Sequence, residues 1–286
     1  MSIEENDGIR PDVLNYDDLR QMVPKLEGHE KLVNRLLHFL SVDKVNAVHA
    51  KCCDTPGPEF TRRLLFEEFK IRLRIDNEQQ LDHLPEGSFI TVSNHPFGAL
   101  DGITLIHLIG SRRPKFRVMV NMILNKITAM RPNFIAVDAL QSDDPKKRQV
   151  SVNGIRQAMR QIRDGEPLGF FPAGAMSTVN WHGRLQDREW QPTVLQLIHK
   201  AKVPVIPIFF HGSNSWWCNI LGKVCWPLRS LRLPAEVWRK VGKEIHVSIG
   251  QPISVEEQMA HGGAESAEAL GRYLREKTYE LRERYR

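Results

Sequence analysis

The feature that most constrains the fold is a strand, a tight turn and a helix that follow one another in residues 89–109. Residues 89–92 (FITV) are a short apolar run typical of a buried strand, and residues 102–109 continue as an apolar helix. Between them lies Asn94–Gly102 (NHPFGALDG), which carries a histidine and an aspartate six positions apart. A strand end that leads into a helix start is where α/β proteins place their chemistry. This turn is therefore the first candidate for a functional site.

The rest of the chain repeats this alternation of apolar runs and helical patterns. Strands are predicted at 70–75, 88–93, 116–120, 134–137, 168–171, 203–210 and 244–249, and the main helices at 16–50, 59–69, 150–163, 190–201 and 264–286. Alternating strands and helices predict an α/β fold, a mixed sheet flanked by helices. We divide the chain into a helical N-terminal region (1–57), a central domain (58–254) and a C-terminal helix (255–286). Residues 1–16 are expected to form a poorly ordered tail.

Composition narrows the possible partners. The chain has 286 residues, 41% hydrophobic and 26% charged, and a net charge of +6, which fits a folded domain that meets an anionic surface or ligand. Nucleic acid is not expected, because no zinc finger or RNA-binding motif is present. We expect no signal peptide, and no transmembrane helix because no apolar run approaches about 18 residues. The cysteines have no metal or redox spacing, so we expect reduced thiols and no metal; they are Cys52, Cys53, Cys218 and Cys225.

His95 and Asp101 have the residue types of a general base and its orienting acid. A hydroxyl group is a poor nucleophile near neutral pH, so its attack needs a base within hydrogen-bonding reach. His95 would take the proton and Asp101 would fix the tautomer of the imidazole. The alternative is a structural histidine with a nearby aspartate cap.

Four segments in order carry a resemblance to a known family. They are the block from Asn94-His95 to Asp101-Gly102, then Asn133–Asp138 (NFIAVD), Phe170–Ser177 (FFPAGAMS) and Val205–Ser215 (VIPIFFHGSNS). Together they resemble the glycerolipid (lysophospholipid) acyltransferase superfamily over roughly residues 58–254. The resemblance implies a glycerolipid acyltransferase-like fold, with residues 58–254 as the acyltransferase domain.

One branch of this superfamily is more similar than the others. Five residues intervene between His95 and Asp101, where most of the superfamily has four, and Asp187-x-x-Trp190 follows the third block. This form resembles the bacterial hemolysin-like branch, which includes the O-acyltransferases that finish ornithine and glycine lipids. The resemblance implies transfer of a fatty acyl chain from an acyl thioester, on acyl carrier protein or coenzyme A, to the hydroxyl of a lyso-lipid. The acceptor expected is a lyso-aminolipid, and no bound cofactor is expected.

Further residues are candidates for binding the substrate or the oxyanion of the tetrahedral intermediate. The glycine-rich turn at 171–174 can offer backbone N–H groups to that oxyanion. The candidates are Asn94, Gly98, Pro172, Ala173, Gly174, Ser177, His211 and Asn214. His211 is also compatible with a core or loop position.

The third block departs from the branches that use glycerophosphate acceptors. Those branches usually read Phe-Pro-Glu-Gly-x-Arg-Ser, whereas this chain has Ala173 and Met176 in place of the glutamate and the arginine. An arginine binds a phosphate bidentately and a methionine cannot. The departure favours an acceptor without a phosphomonoester, although Arg184, Arg112 or Lys115 can supply charge instead. The alternative acceptor is a lysophospholipid or 1-acylglycerol 3-phosphate. The basic runs Arg112-Arg113 and Lys146–Arg148 are candidates for contact with an acidic carrier protein or the phosphates of coenzyme A, and the alternative is solvated surface.

The segment 216–243 is the candidate for contact with a lipid surface. It combines basic residues with four of the six tryptophans, Trp216, Trp217, Trp226 and Trp238. Tryptophan favours the membrane interface, and basic residues favour anionic lipid. The alternatives are an aromatic cluster buried under a loop, or docking through the amphipathic helix near 30–50. We expect a peripheral protein on the cytoplasmic side of the inner membrane. The alternative of another class is a non-catalytic, hemolysin-like membrane-binding protein.

Overall fold

A seven-stranded mixed sheet forms the centre of the molecule. In the computed structural model, residues 8–138, 145–179, 185–219 and 233–285 are described. The strands are β1 (Arg72–Asp76), β2 (Ile90–Ser93), β3 (Arg117–Asn121), β4 (Phe134–Val137), β5 (Leu168–Phe170), β6 (Thr178–Val179), β7 (Leu185–Gln186), β8 (Val205–His211) and β9 (Glu244–Ile249). The sheet order is β1-β9-β8-β2-β5-β3-β4, and β6 and β7 form a separate antiparallel pair.

The direction of the strands explains where the site lies. β8, β2, β5, β3 and β4 are parallel to one another, whereas β9 is antiparallel to β8 and β1 is parallel to β9. The carboxyl ends of the five parallel strands therefore share one edge of the sheet, and β2 lies near the middle. The predicted mixed α/β fold is confirmed.

Helices cover both faces of this sheet. They are α1 (Tyr16–Met22), α2 (Glu30–Phe39), α3 (Val42–Cys52), α4 (Pro58–Arg62), α5 (Ala99–Gly110), α6 (Pro145–Arg163), α7 (Pro192–Ala201), α8 (Val255–Gln258) and α9 (Ala267–Arg284). A π-helical segment continues α4 and another follows α8, at Arg63–Glu68 and Met259–Gly263. Short 3-10 helices occur at Pro24–Leu26, Glu78–His83, Met122–Lys126 and Thr128–Asn133. None of the helices in the described ranges is both long and apolar enough to cross a bilayer.

The strands bury side chains on both faces, which is why their sequences are nearly continuously apolar. On β8, Ile206, Ile208 and Phe210 join the core under α4 and α5, whereas Val205 joins the core under α6, α7 and α9. Successive side chains of a strand point to opposite faces, so one strand serves both cores. Each fully buried leucine, isoleucine or phenylalanine contributes about 1.5–3 kcal/mol.

The expectation of a poorly ordered tail at residues 1–16 is wrong for the part that the structure describes. Arg10 forms an ion pair with buried Asp18 at 3.2 Å, and the Arg10 backbone N–H donates to Thr128 Oγ1 at 3.0 Å. These contacts tie the entry to α1 onto the 3-10 helix before β4. Residues 1–7 lie outside the described residues.

Two helices need a comment on their extent and burial. Helix α6 begins at Pro145, five residues before the predicted start at 150, and residues 139–144 lie outside the described ranges. The C-terminal helix α9 buries Leu270 and Leu274 against α7 and the sheet. The division at 57 and 254 stays a prediction.

Candidate active site

The imidazole of His95 and the carboxylate of Asp101 lie at the carboxyl end of β2. His95 follows the last residue of β2 by two positions, and Asp101 lies in the first turn of α5. His95 Nδ1 is 2.9 Å from Asp101 Oδ2, and the exposed fractions of the two side chains are 20% and 0%. Nε2 of His95 has no hydrogen-bond partner in the described part of the chain. The pair thus has the geometry of an orienting acid behind an accessible base.

The start of α5 holds Asp101 in place. Oδ2 accepts hydrogen bonds from the backbone N–H groups of Phe97 at 2.8 Å and Gly98 at 3.0 Å. Gly98 is the N-cap of α5 with φ +80°, a conformation that a glycine adopts without steric cost. Burial raises the pKa of the Asp101 carboxyl, and the contact with His95 and the two amides oppose that rise. The positive end of the helix dipole also favours the carboxylate form.

The loop after β5 brackets His95 from two sides. Phe171 stacks on the imidazole, with ring centroids 4.2 Å apart and planes 26° apart. At the other end of the loop, the Ser177 N–H donates to the backbone carbonyl of His95 at 2.8 Å. The first and third family blocks are therefore in direct contact.

Asp187 is a buried carboxylate that binds both His95 and Ser177. Its Oδ1 accepts from the backbone N–H of His95 at 3.3 Å and from the Ser177 hydroxyl at 2.5 Å. The Asp187 N–H donates to the hydroxyl of Tyr279 at 2.8 Å. The Arg275 side chain donates to the Asp187 carbonyl at 3.0 Å. Burial raises the pKa of Asp187, and Ser177 and His95 oppose that rise. Sequence reasoning did not assign a role to Asp187, although the Asp187-x-x-Trp190 spacing marked it.

The turn that follows Phe171 has few backbone N–H groups to offer. Pro172 has none, and the Gly174 N–H donates to the Phe171 carbonyl at 2.9 Å. The Ala173 N–H has no hydrogen-bond partner in the described ranges, and Ala173 is buried. Buried backbone donors are rarely left without a partner, so the Ala173 N–H is a candidate donor to a ligand.

Two asparagines and Ser177 use their side chains to position the backbone. Asn94 donates from Nδ2 to the Phe210 carbonyl at 2.9 Å and accepts from the Phe210 N–H at 2.7 Å, which extends the pairing of β2 with β8. Asn214 donates weakly to the Phe97 carbonyl at 3.4 Å. Asn94 and Ser177, expected to bind substrate, are thus engaged in contacts within the protein.

Lys240 is a cation beside the site that sequence reasoning did not single out. Its ammonium lies 4.4 Å from the centre of the Phe97 ring and donates to the Ser213 carbonyl at 2.8 Å. Burial lowers the pKa of Lys240, and Glu236 and Asp101 oppose that change. The side chain borders a cavity of about 390 Å³ that is also lined by Asn214, Arg239 and Lys243.

His211 does not lie with His95. Phe210, the preceding residue of β8, lies on the same face of the sheet as Phe171, and the centroids of the two rings are 6.5 Å apart. Because adjacent side chains of a strand alternate, His211 points to the opposite face, where it stacks on His246 at 3.9 Å. Burial, together with His246, lowers the pKa of His211 to about 4. The expected place of His211 in the substrate pocket is therefore wrong.

The basic residues Arg112, Arg113 and Lys115 are also distant from His95. Arg113 lies over the ring of Phe89, just before β2, whereas His95 follows the other end of this strand. Arg112 and Lys115 pair with Asp82 and Glu166. This group lies at the amino end of β2 and does not supply charge at the imidazole. Lys146, Lys147 and Arg148 belong to the first turn of α6, and Arg184 lies outside the described residues.

The tryptophans of segment 216–243 do not share one environment. Trp216 and Trp217 are 66% and 60% exposed and contact each other edge to face at 5.1 Å. Trp238 packs edge to face on buried Phe69 at 5.5 Å, so its assignment to the membrane-docking surface is wrong. Trp226 lies outside the described residues.

Two curated relatives and one solved structure that are similar to this chain are named as acyltransferases. A Lyso-glycine lipid O-acyltransferase from Bacteroides thetaiotaomicron is 26% identical over 249 residues, covering 82% of this chain and 86% of the relative. One of the same name from Phocaeicola vulgatus is 26% identical over 234 residues, covering 78% of each. The crystal structure of a 1-acyl-sn-glycerophosphate acyltransferase from Thermotoga maritima matches the fold with a TM-score of 0.51, 15% identity and 89% coverage of both chains.

The sequence profile of one family spans almost the entire chain. It is described as Acyltransferase, and it matches residues 23–285, which include His95, Asp101 and Asp187. The chain therefore belongs to this Acyltransferase family, and the protein is an acyltransferase.

Proposed function

We propose that the protein transfers a fatty acyl chain from an acyl thioester to the hydroxyl of a lyso-aminolipid, such as a lyso-glycine lipid. The observation that carries the proposal is the 2.9 Å contact between His95 Nδ1 and buried Asp101 at the carboxyl edge of the sheet. The two relatives named Lyso-glycine lipid O-acyltransferase support the choice of acceptor.

The proposed acyl transfer by His95 and Asp101 has two steps. His95 Nε2 takes the proton of the acceptor hydroxyl while its oxygen attacks the thioester carbonyl, and Asp101 stabilises the imidazolium. The tetrahedral intermediate then collapses, so that the C–S bond breaks and the imidazolium returns the proton to the departing sulfur. General-base assistance of this kind contributes roughly 10² to 10⁴ in rate.

We assign stabilisation of the tetrahedral oxyanion to the Ala173 N–H. This amide belongs to the loop that touches His95 at both ends, through Phe171 and Ser177. A backbone donor fixed before the reaction needs no reorganisation when the charge develops. Gly98 and Gly174 contribute because they adopt the positive φ that the turns after β2 and β5 require. Asn94, Ser177 and Asn214 contribute hydrogen bonds that stabilise these turns.

The surroundings of Met176 support an acceptor without a phosphomonoester. A Cβ atom added at Gly98 would lie 2.9 Å from Met176 Sδ, so the thioether packs against the N-cap of α5. The side chain that stands where glycerophosphate-using relatives usually have an arginine is thus an apolar neighbour of the catalytic turn. A lysophospholipid or 1-acylglycerol 3-phosphate is the alternative acceptor, and Lys240, whose ammonium lies over the Phe97 ring, is a cation available to its phosphate.

A lipid acceptor requires access to a membrane surface, and two exposed apolar surfaces support such contact. One is the pair Trp216 and Trp217. The other is a face of α2 on which Leu32, Leu36 and Phe39 are exposed, while Val33 and Leu37 pack inward. We propose peripheral binding to the cytoplasmic side of the inner membrane, with acyl carrier protein or acyl-coenzyme A as donor.

Mass spectrometry of lipid extracts tests the function. The gene is deleted and restored as wild type, as His95→Ala, or as His83→Ala, an exposed control histidine. We expect the deletion to lose a diacylated aminolipid and accumulate its monoacyl precursor, with rescue by wild type and His83→Ala only.

Two other outcomes would redirect the proposal. Unchanged aminolipids with altered phospholipid acylation would select the lysophospholipid acceptor. Rescue by His95→Ala would remove His95 from the base role and favour an effect that depends on membrane binding alone. Purified protein with defined acyl carrier protein and coenzyme A thioesters then separates the two donors.

A further inference from the structure

Three strands at one side of the sheet bring together a cluster of two histidines, an aspartate and a serine that the proposed acyl transfer does not use. Asp76 is the last residue of β1, His211 the last of β8, and His246 and Ser248 lie on β9 between them. In the strand pairings, Asp76 is opposite Ser248 and His211 is opposite His246. Alternation therefore places all four side chains on one face, the face opposite His95.

The donor atoms of this cluster lie close to one another. His246 Nε2 is 2.5 Å from Asp76 Oδ2, and the Ser248 hydroxyl is 2.7 Å from both Asp76 Oδ2 and His211 Nε2. The imidazoles of His211 and His246 are stacked 3.9 Å apart and only 11° from parallel. One ligand atom from each of Asp76, His211 and His246 lies within 4.8 Å of the others.

We propose that Asp76, His211 and His246 form a binding site for a divalent first-row transition ion of the Zn²⁺ type. Two imidazole nitrogens and one carboxylate oxygen form a frequent protein ligand set for this class of ion. Zn–N and Zn–O distances of about 2.0–2.2 Å require tetrahedral ligand atoms roughly 3.4 Å apart, so ion binding requires the two imidazoles to rotate out of their stacked arrangement until both Nε2 atoms face the ion. Both imidazoles coordinate through Nε2 with their protons on Nδ1.

The second shell fits this assignment. Ser248 already contacts Asp76 and His211, so its hydroxyl can hold the carboxylate or a fourth, water ligand. Arg74, an exposed side chain, approaches the other oxygen, Asp76 Oδ1, at 4.0 Å and leaves Oδ2 to the cluster. The positive charges of Arg74 and Arg282 contribute to the lowered pKa of His211, and both side chains are long enough to turn toward solvent.

The position of the cluster indicates a structural role for the ion. Its three ligands link the edge strand β1 through β9 to β8, and an edge strand has pairing partners on one side only. The ion lies across the sheet from His95, so its removal should loosen β1 without changing the general base. The proposal is independent of the acceptor and donor assigned above.

Metal retention tests the site. Purified full-length protein is stripped with chelator, incubated with ZnCl₂, dialysed and analysed by plasma mass spectrometry. Wild type and the controls His95→Ala and His261→Ala should retain one equivalent of zinc, whereas His246→Ala and Asp76→Asn should retain at least tenfold less. Equal retention by wild type and His246→Ala would overturn the proposal, and loss of zinc in His95→Ala would move the metal to the active site.

Measurements on the wild-type protein test the metal site even if the variants fail to fold. Co²⁺ added to stripped wild-type protein should give the visible absorption of a low-symmetry site with nitrogen ligands, and zinc should remove it. Zinc should also shift the ¹⁵N resonances of two imidazoles and raise the Tm. A cobalt spectrum identical to that of the free aqua ion, with no shift of Tm, would overturn the assignment.

Discussion

The carboxylate of Asp187 accepts a hydrogen bond at 3.3 Å from the backbone N–H of His95, which lies 92 residues earlier in the chain. The same oxygen accepts from the Ser177 hydroxyl, and the Ser177 N–H donates to the His95 carbonyl. Both backbone polar groups of His95 are thus fixed by residues of the third block and its continuation. The position of the imidazole depends on this contact as well as on Asp101.

Replacement of Asp187 by alanine should lower kcat by roughly 10²-fold, because displacement of a catalytic group by about 1 Å has an effect of that size. It should also destabilise the fold by about 1–3 kcal/mol, since the Ser177 hydroxyl and the His95 N–H lose their buried acceptor. Asp187→Asn keeps an acceptor oxygen and should retain most of kcat. Steady-state kinetics and urea unfolding of both variants measure these effects, and equal kcat values for Asp187→Ala and wild type would exclude the positioning role.

Replacement of Asp101 by asparagine should separate activity from stability. Turnover should fall by roughly 10² to 10⁴, because the imidazolium loses its counter-charge and the tautomer is no longer fixed. The fold should be at least as stable as wild type at neutral pH, because a buried charge is removed from a site that disfavours it. Activity assays and thermal unfolding at neutral pH measure both effects, and a variant with wild-type turnover would contradict the role of Asp101.

The stability of Asp101→Asn relative to wild type should depend on pH. The pKa of Asp101 is raised above its usual value of 3.8, so the folded state binds more protons than the unfolded state between 3.8 and the folded pKa. Wild-type stability therefore falls as pH rises through this window, and this contribution is absent in the variant. We expect the stability advantage of the variant to be small below pH 3.8 and complete above the folded pKa. Urea titrations at several pH values measure the difference, and a constant difference would refute the burial of a titrating carboxyl.

Replacement of Gly98 by alanine should destabilise the protein by about 1–3 kcal/mol, since its φ of +80° is strained for a residue with a Cβ atom. The added methyl would also meet Met176 Sδ at 2.9 Å and disturb the amides that bind Asp101. The control is Gly87→Ala, at a position with no atom within 4 Å of the added carbon. Thermal unfolding and turnover should change in the first variant only; similar values in both would contradict the strain argument.

Replacement of both Trp216 and Trp217 by alanine should weaken binding to anionic vesicles by at least tenfold. Burying an exposed aromatic side chain is worth about 1.5–3 kcal/mol, and about 1.4 kcal/mol is a factor of ten in partitioning. The matched control is Trp238→Phe, which should reduce stability through its contact with Phe69 and leave vesicle binding unchanged. Co-sedimentation with vesicles measures the effect. Loss of binding in a Leu32/Leu36/Phe39 triple serine variant, but not in the tryptophan variant, would move the docking surface to α2.

Local sequence pattern was sufficient for the seven strands of the main sheet and for the turn that contains His95. The apolar runs at 89–92 and 102–109 predict a strand, a turn and a helix, and the structure has β2 and α5 there, although α5 already begins at Ala99 and includes Asp101. His95 and Asp101 are only six residues apart, so the geometry of one turn determines their contact. The family blocks extended this local information to acyl transfer.

Contacts between distant segments could not be predicted in this way. Asp187 contacts His95 because the segment after β7 returns to the turn after β2, and Trp238 contacts Phe69 because the segment before β9 packs on the segment before β1. Whether His211 faces the substrate or the opposite side depends on the register of β8, since a shift of one residue reverses every side chain. Spacing in sequence contains no information on such choices.

The sequence by itself thus determined the α/β fold, the His95–Asp101 pair and the acyltransferase family, because each is encoded by short-range periodicity or by a contiguous motif. Only the tertiary structure decided that Arg113 lies at the far end of β2, that Trp238 is packed inward and that Asp76, His211 and His246 meet. These three residues come from strands up to 170 residues apart. Their meeting follows from the strand order β1-β9-β8 and from side-chain alternation, which exist only once the sheet has formed.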